Sequence, residues 1–419
     1  MAQMAGFVLV RGARQLLTLR GPSGPRRGWA LRELGIIQDG ALLIHGGMII
    51  SVGPSRRVEN LSEARSAREI DATGRVVMPG FVDSHTHLVS GPPRLAEQQA
   101  RPEGSGAQAP TAGALRAVAA SRLLLEARRR LATLIRHGTT ALEAKSGAGG
   151  DETRELKILR VLAALNQRPL DVAPTCLAGH LIPLEYRGKP DDYVGWMCEH
   201  LLPKVRRRRL ARFVDVVCAP GSLTTAQARR CLETARGLGF RLKVHAGQEP
   251  GEEGARLAVE LGAVSADHLD CATADDVTVL AASPTVATLL PGEVCRPPGD
   301  RRPPARALID AGAAVALATG FTPGAASTAS MQMVVALACS HLGMTPAEAL
   351  ATATVNGAHA LAVADRVGTL EVGKQADLLI LDVPDYREIP YHFGGNLVAM
   401  TLKRGEVLYR QGEVKWPED

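Results

Sequence analysis

The pattern of apolar and polar positions changes texture twice along this chain. Residues 1–72 alternate in short runs broken by glycine. FVLVRGARQLLTL is one candidate strand, and ALLIHGGMIISVG reads as two strands turning at Gly46-Gly47. From Val76 onward, strand-like apolar runs alternate with stretches rich in Ala, Leu, Arg and Glu. The runs RVVMPGFVD, GTTALEAK, LDVAPTCLA, RFVDVVCA, FRLKVHA, AVSADH, PTVATLL and AAVALAT supply about eight strands, each followed by helical or loop material. Ser90 to Gly113, rich in Pro, Gly and Gln, reads as a long loop over the barrel mouth or a disordered one, and LRAVAASRLLLEARRRLATLIRHG reads as a helix ending at Gly138. Beyond residue 365 the strand texture returns. RVGTLEVGKQADLLILD reads as a glycine-punctuated strand pair, and LVAMTLKRGEVLYRQGEVKW as a hairpin around Arg404-Gly405. The expected class is α/β: a (β/α)8 TIM-like barrel over 73–364, inserted in a small β-sandwich domain built from 1–72 and 365–419.

Composition narrows the function classes. With 3% aromatic residues, a base-stacking surface for nucleic acid is not expected, although the net charge is +6 and Lys204 to Arg209 is a basic run. That run reads as a solvated helix end or loop. The seven cysteines are scattered without a C-x-x-C pair, which fits neither a zinc knuckle nor a disulfide scaffold and points to a reducing compartment. No signal peptide and no bilayer-spanning apolar stretch is evident, so a cytoplasmic location is expected, with no membrane partner.

The chemistry begins at VVMPGFVDSHTH. In an extended segment residues i and i+2 share a face, so His85 and His87 converge on one point. Further candidates stand at the ends of other runs: Glu143 and Lys145 on the second, His180 after the third, His245 on the fifth and His268 on the sixth. In a (β/α)8 barrel the reactive end is where the strands' C-termini meet. Three imidazoles, His85 and His87 from the first run and His245 from the fifth, suit a divalent transition metal with an open position for water.

The order PGFVDSHTH, a lone strand-end histidine, SADHL and ALATxFxPG resembles the metal-dependent amidohydrolase superfamily over nearly the whole chain. Glu143-Ala-Lys-Ser-Gly, Glu155-Leu-Lys-Ile-Leu-Arg-Val, His180-Leu-Ile-Pro, Ser265-Ala-Asp-His-Leu and Ile389-Pro-Tyr-His-Phe-Gly are similar to its imidazolonepropionase branch. The resemblance implies hydrolysis of a cyclic amide, a small anionic heterocyclic substrate, one zinc or iron ion, and a possible homodimer. It also implies roles: His85, His87 and His245 as metal ligands, and His268 beside the catalytic water. Arg94 would hold the substrate carboxylate, and His180, Gln248, Thr322 and Gly324 would contact the substrate.

The sequence departs from that pattern. An aspartate expected after Ala318-Thr319, serving as metal ligand and proton shuttle, is replaced by Gly320. An acid expected three residues after His245 is Gln248, which cannot act as a base at neutral pH. An expected tyrosine is Ala148. Glu249, Glu143 and Asp267 are conceivable substitutes, although Asp267 should face away from His268 on a regular strand. These departures keep open a divergent amidohydrolase with another substrate, or a catalytically impaired binding or scaffold protein.

Overall fold

The computed structural model describes residues 6–89, 118–147, 151–177, 179–180, 182–219, 222–292, 302–323, 328–410 and 413–414. Its larger part is a parallel sheet of eight strands paired in chain order. They are strand one (Phe81–Asp83), two (Thr139–Lys145), three (Asp171–Leu177), four (Phe213–Val217), five (Arg241–Ala246), six (Ser265–His268), seven (Val286–Leu289) and eight (Ala314–Leu317). Except at Arg241, every strand position is buried. That is what a parallel sheet wrapped by helices demands, and why these runs are nearly continuously apolar. The helix Ala120–Arg136 shows the covering layer: Leu123, Ala127, Leu131 and Leu134 recur at helical spacing and form its buried stripe. It stops before Gly138, whose φ of 92° suits a residue without Cβ.

The barrel closes between strand one and the end of strand eight. Thr319 donates its N–H and Oγ1 hydroxyl to Asp83 at 3.0 and 2.6 Å. Gly320 N–H donates to the His85 carbonyl at 3.1 Å, and His87 N–H to the Phe321 carbonyl at 2.8 Å. The segment that carries the His-x-His pair is thus fastened to strand eight along its length.

The two chain ends share one nine-stranded sheet. Val8–Leu17, Ile36–His45, Met48–Pro54, Arg68–Asp71 and Val76–Pro79 come from the N-terminal part. Leu378–Leu381, Val398–Lys403, Glu406–Arg410 and Glu413–Val414 come from the C-terminal part. They join where Val77 lies opposite Ile380 in an antiparallel pair. Val10, Leu16, Leu42, Ile44, Val77, Leu378, Ile380 and Leu402, drawn from both ends of the chain, pack into one apolar cluster. The turn at Arg404-Gly405 has both φ values positive, 50° and 76°, as a two-residue hairpin requires. Lys403 then reaches across to the barrel, its Nζ 2.7 Å from Asp171 and 2.5 Å from Asp377.

Two runs differ from the expectation. RVVMPGFVD is two strands, the first in the small sheet and the second in the barrel. They part at Gly80, where a Cβ would lie 2.2 Å from the Thr140 hydroxyl. Of RVGTLEVGKQADLLILD, only Leu378–Leu381 is a strand. Gly368 and Gly373, with φ of 92° and 86°, turn the preceding backbone away from extension. No described helix is long and apolar enough to cross a membrane.

Candidate metal centre

The five strand-end histidines gather at one place. The His85 ring lies 4.8 Å from that of His245, 4.9 Å from His268 and 5.4 Å from His87, centroid to centroid. His180 stands 6.1 Å from His87 and 6.2 Å from His245. One ring nitrogen from each of His85, His245 and His268 falls within a 4.8 Å group. His87 sits a step further out, 6.3 Å from His245.

Desolvation favours the neutral form of four of these imidazoles, His85, His87, His180 and His245. Burial lowers His85 and His87 well below the ordinary histidine value, followed by the repulsion of Lys145 and His180 respectively. Burial likewise lowers His245 and pushes His180 down to about 4. A neutral imidazole keeps one lone pair, which is the donor a divalent cation uses. The donor set therefore fits such an ion, and the second layer fits it too. His85 Nδ1 is 2.7 Å from Asp267 Oδ2, an arrangement that puts the proton on Nδ1 and leaves Nε2 free. His245 Nδ1 is 3.0 Å from Asp215 Oδ2, although the ring is not aligned with that oxygen and Nδ1 has no hydrogen-bond partner.

Beneath the histidines lies a layer of charge without solvent contact. Lys145 Nζ stands 2.6 Å from Asp215, 2.8 Å from Glu143 and 3.3 Å from Asp267. Lys243 Nζ stands 2.9 Å from the Ser84 carbonyl, 3.1 Å from Glu143 and 3.5 Å from Asp267. Burial opposes charge here, but the lysines hold Asp267 well below the usual carboxylate range, and His245 and Lys145 lower Asp215. His85, Glu143 and Asp267 also lie close enough together to suggest a cation site. The two ammonium groups already serve those carboxylates, so we assign no metal there.

Each residue singled out in the sequence has a place. His85, His87, His180, His245 and His268 come together. Gln248 joins them, its Nε2 3.3 Å from His268 Nδ1 and 3.4 Å from Nε2. Thr322 Oγ1 donates to the Gly320 carbonyl at 3.0 Å, on the segment that closes against Thr86. Gly320 has φ 63° and brings no side chain to the centre. Arg94, Ala148 and Gly324 lie outside the described residues.

The expectation that Asp267 faces away from His268 is corrected. Asp267 points into the barrel and binds His85, yet the His268 ring is also beside His85. The strand is not regular at that point: His268 and Leu269 have φ of 82° and 62°. Such conformations cost non-glycine residues about 1–3 kcal/mol each and concentrate at functional sites. Glu143 is tied to both lysines and to the Thr175 hydroxyl at 2.5 Å, which commits it to the layer below. The sequence reading missed Asp215 and Lys243. Their signal was a charged residue inside the apolar runs RFVDVVCA and FRLKVHA, where both strand faces are buried. It also missed Glu252, whose carboxylate accepts the backbone N–H groups of Gln248 and Glu249 at 3.0 Å each, and whose pKa burial raises despite the pull of His268.

Histidines converging from strands one, three, five and six at a barrel mouth define a class, and the comparisons agree with it. Residues 76–408 match the amidohydrolase family model, and the chain belongs to that family. The chain is a hydrolase acting on carbon–nitrogen bonds, and with the histidine cluster the family indicates a divalent metal centre. Among curated relatives, the chain is 43% identical to the imidazolonepropionase of Solibacter usitatus, covering 95% of this chain and 97% of that protein. It is 42% identical to the imidazolonepropionase of Chloroflexus aggregans, covering 96% and 98%. Solved structures share the fold: a zinc-bound adenosine deaminase from Xanthomonas campestris has a TM-score of 0.70 at 20% identity, covering 97% of this chain and 94% of that one. A triazine hydrolase variant has a TM-score of 0.72 at 18% identity, covering 96% and 95%.

Proposed function

We propose that this chain opens the ring of 4-imidazolone-5-propanoate with water, giving N-formimidoyl-L-glutamate, the imidazolonepropionase reaction of histidine degradation. The observation that carries this reading is near-complete alignment, at 43% and 42% identity, with proteins named imidazolonepropionase. The five-histidine centre supports it.

In this reading His85, His87 and His245 hold one zinc or iron ion, which when bound supplies Lewis acidity toward a carbonyl and lowers the pKa of a coordinated water. Asp267 holds His85 with its proton on Nδ1. His268, whose ring is flanked by Gln248, is the group placed to hold and pass a proton beside the reacting carbonyl. Gln248 donates or accepts through its amide but carries no charge. His180, Thr322 and Gly324 contact the substrate, and Arg94 pairs its carboxylate with a guanidinium fork.

A second reading, a binding protein with impaired catalysis, is favoured by one feature: Gly320 offers no carboxylate where the resemblance expects one. Loss of a proton-transferring group costs about 10²–10⁴-fold in rate. The test is to load purified protein with zinc or iron, measure the bound metal, and follow loss of the substrate's ultraviolet absorption. Turnover above the uncatalysed rate supports the enzyme. Metal-loaded protein that binds the substrate without consuming it supports the second reading.

A further inference from the structure

We propose that Lys145 is a positioning residue for this centre: it links Asp215 to Asp267 and thereby fixes the rings of both His245 and His85. The inference rests on the reading that these histidines bind metal.

Lys145 enters from strand two, while the two carboxylates stand on strands four and six. Its ammonium is 2.6 Å from Asp215 Oδ2 and 3.3 Å from Asp267 Oδ2. Those same two oxygens are the ones nearest the histidines, 3.0 Å from His245 Nδ1 and 2.7 Å from His85 Nδ1. One ammonium therefore sets two oxygens: Asp267 Oδ2 is hydrogen-bonded to His85 Nδ1, and Asp215 Oδ2 stands 3.0 Å from His245 Nδ1, within electrostatic reach although the ring is not aligned with it. Lys145, Asp215 and Asp267 have no exposed side-chain surface, so bulk solvent does not screen the contacts between them. Asp267 has further support from Ser265 Oγ at 2.5 Å and from Lys243. Asp215 is different. Among the described residues its Oδ1 has no hydrogen-bond partner, and the ammonium at its Oδ2 is that of Lys145. The arrangement makes His245 the more dependent of the two rings.

A plainer role is charge balance, since three carboxylates and two lysines share this layer. The two roles separate because Lys243 has the same charge and burial but contacts Glu143 and Asp267 rather than Asp215. Charge balance predicts equal consequences for Lys145→Met and Lys243→Met. Positioning predicts that only Lys145→Met disturbs His245.

The measurement is the ring-nitrogen NMR signature of histidine tautomers in metal-free, 15N-labelled protein, alongside zinc affinity by chelator competition. Wild type is expected to show the Nδ1–H tautomer at His85 and His245. Lys145→Met should mix the tautomers of His245 and weaken zinc binding about 10–100-fold, the usual consequence of losing an outer-layer partner. Lys243→Met should leave the His245 signals in place. Should Lys145→Met fail to fold, Asp215→Asn cuts the same link from its other end and is expected to shift His245 but not His85. Unchanged His245 signals and zinc affinity in folded Lys145→Met, or in Asp215→Asn, would overturn the proposal, as would equal effects from Lys243→Met. Wild type without zinc affinity would instead sink the metal reading; the tautomer comparison needs no metal and still tests the link through Lys145.

Discussion

Gly320→Asp is the substitution with the most to reveal. The backbone there is held from both sides: Thr319 is bonded to Asp83, and Gly320 N–H to the His85 carbonyl. An introduced side chain must therefore accept φ near 63°. A left-handed conformation costs an ordinary L-residue roughly 1–2 kcal/mol, and aspartate is among the residues that visit it most readily. A fold of this size tolerates such a loss, since domains retain about 5–15 kcal/mol. The possible gain is larger. A correctly placed acid-base group is worth about 10²–10⁴-fold in rate, equivalent to roughly 2.7–5.5 kcal/mol of barrier. We expect Gly320→Asp to unfold at a slightly lower urea concentration and to turn over imidazolonepropionate at least about a hundred times faster. Gly320→Asn is the control, because it has the same backbone cost and no acid. If folded, metal-loaded Asp and Asn variants turn over equally, the carboxylate is not what this site lacks.

Two further outcomes follow from buried charge. His180 has a folded-state pKa of about 4, below its ordinary value of 6.5, so between those pH values the unfolded chain binds more protons and stability falls as pH drops. In metal-free protein, His180→Gln should therefore gain stability relative to wild type on going from pH 6.5 to pH 4 in urea titrations; a difference that stays flat across that window would mean the imidazole is not held neutral. Lys403 stands between Asp171 and Asp377 with 2% of its side chain exposed, and it joins the small sheet to the barrel. Lys403→Met leaves Asp377 without its cation, while Asp171 keeps Arg404, and should cost about 3–5 kcal/mol in equilibrium unfolding; a loss below about 1 kcal/mol would show that Lys403 is not what neutralises Asp377.

The architecture was legible in the amino-acid order, because burial on both faces leaves a readable trace: the eight apolar runs each hold one barrel strand, the first of them also holding a strand of the small sheet. The histidines were legible at strand ends too, since residues i and i+2 on an extended segment and a common polarity of parallel strands leave them little alternative. Two ends of the chain, far apart in sequence, could be read as one sheet because both carry the same short, glycine-punctuated strand texture, and they do pair into one sheet. Folding in three dimensions settled what periodicity cannot encode. Asp267 and His268 share a site because the backbone leaves the strand at φ 82°, a choice made by packing around the mouth and not by local pattern. Lys145, Lys243, Asp215, Glu143 and Asp267 look like isolated charges within apolar runs, and only closure of the barrel brings them to within 2.6–3.5 Å of one another. Charges in a dry interior must be mutually neutralised, and which partners do so depends on strand register, a property of the assembled sheet.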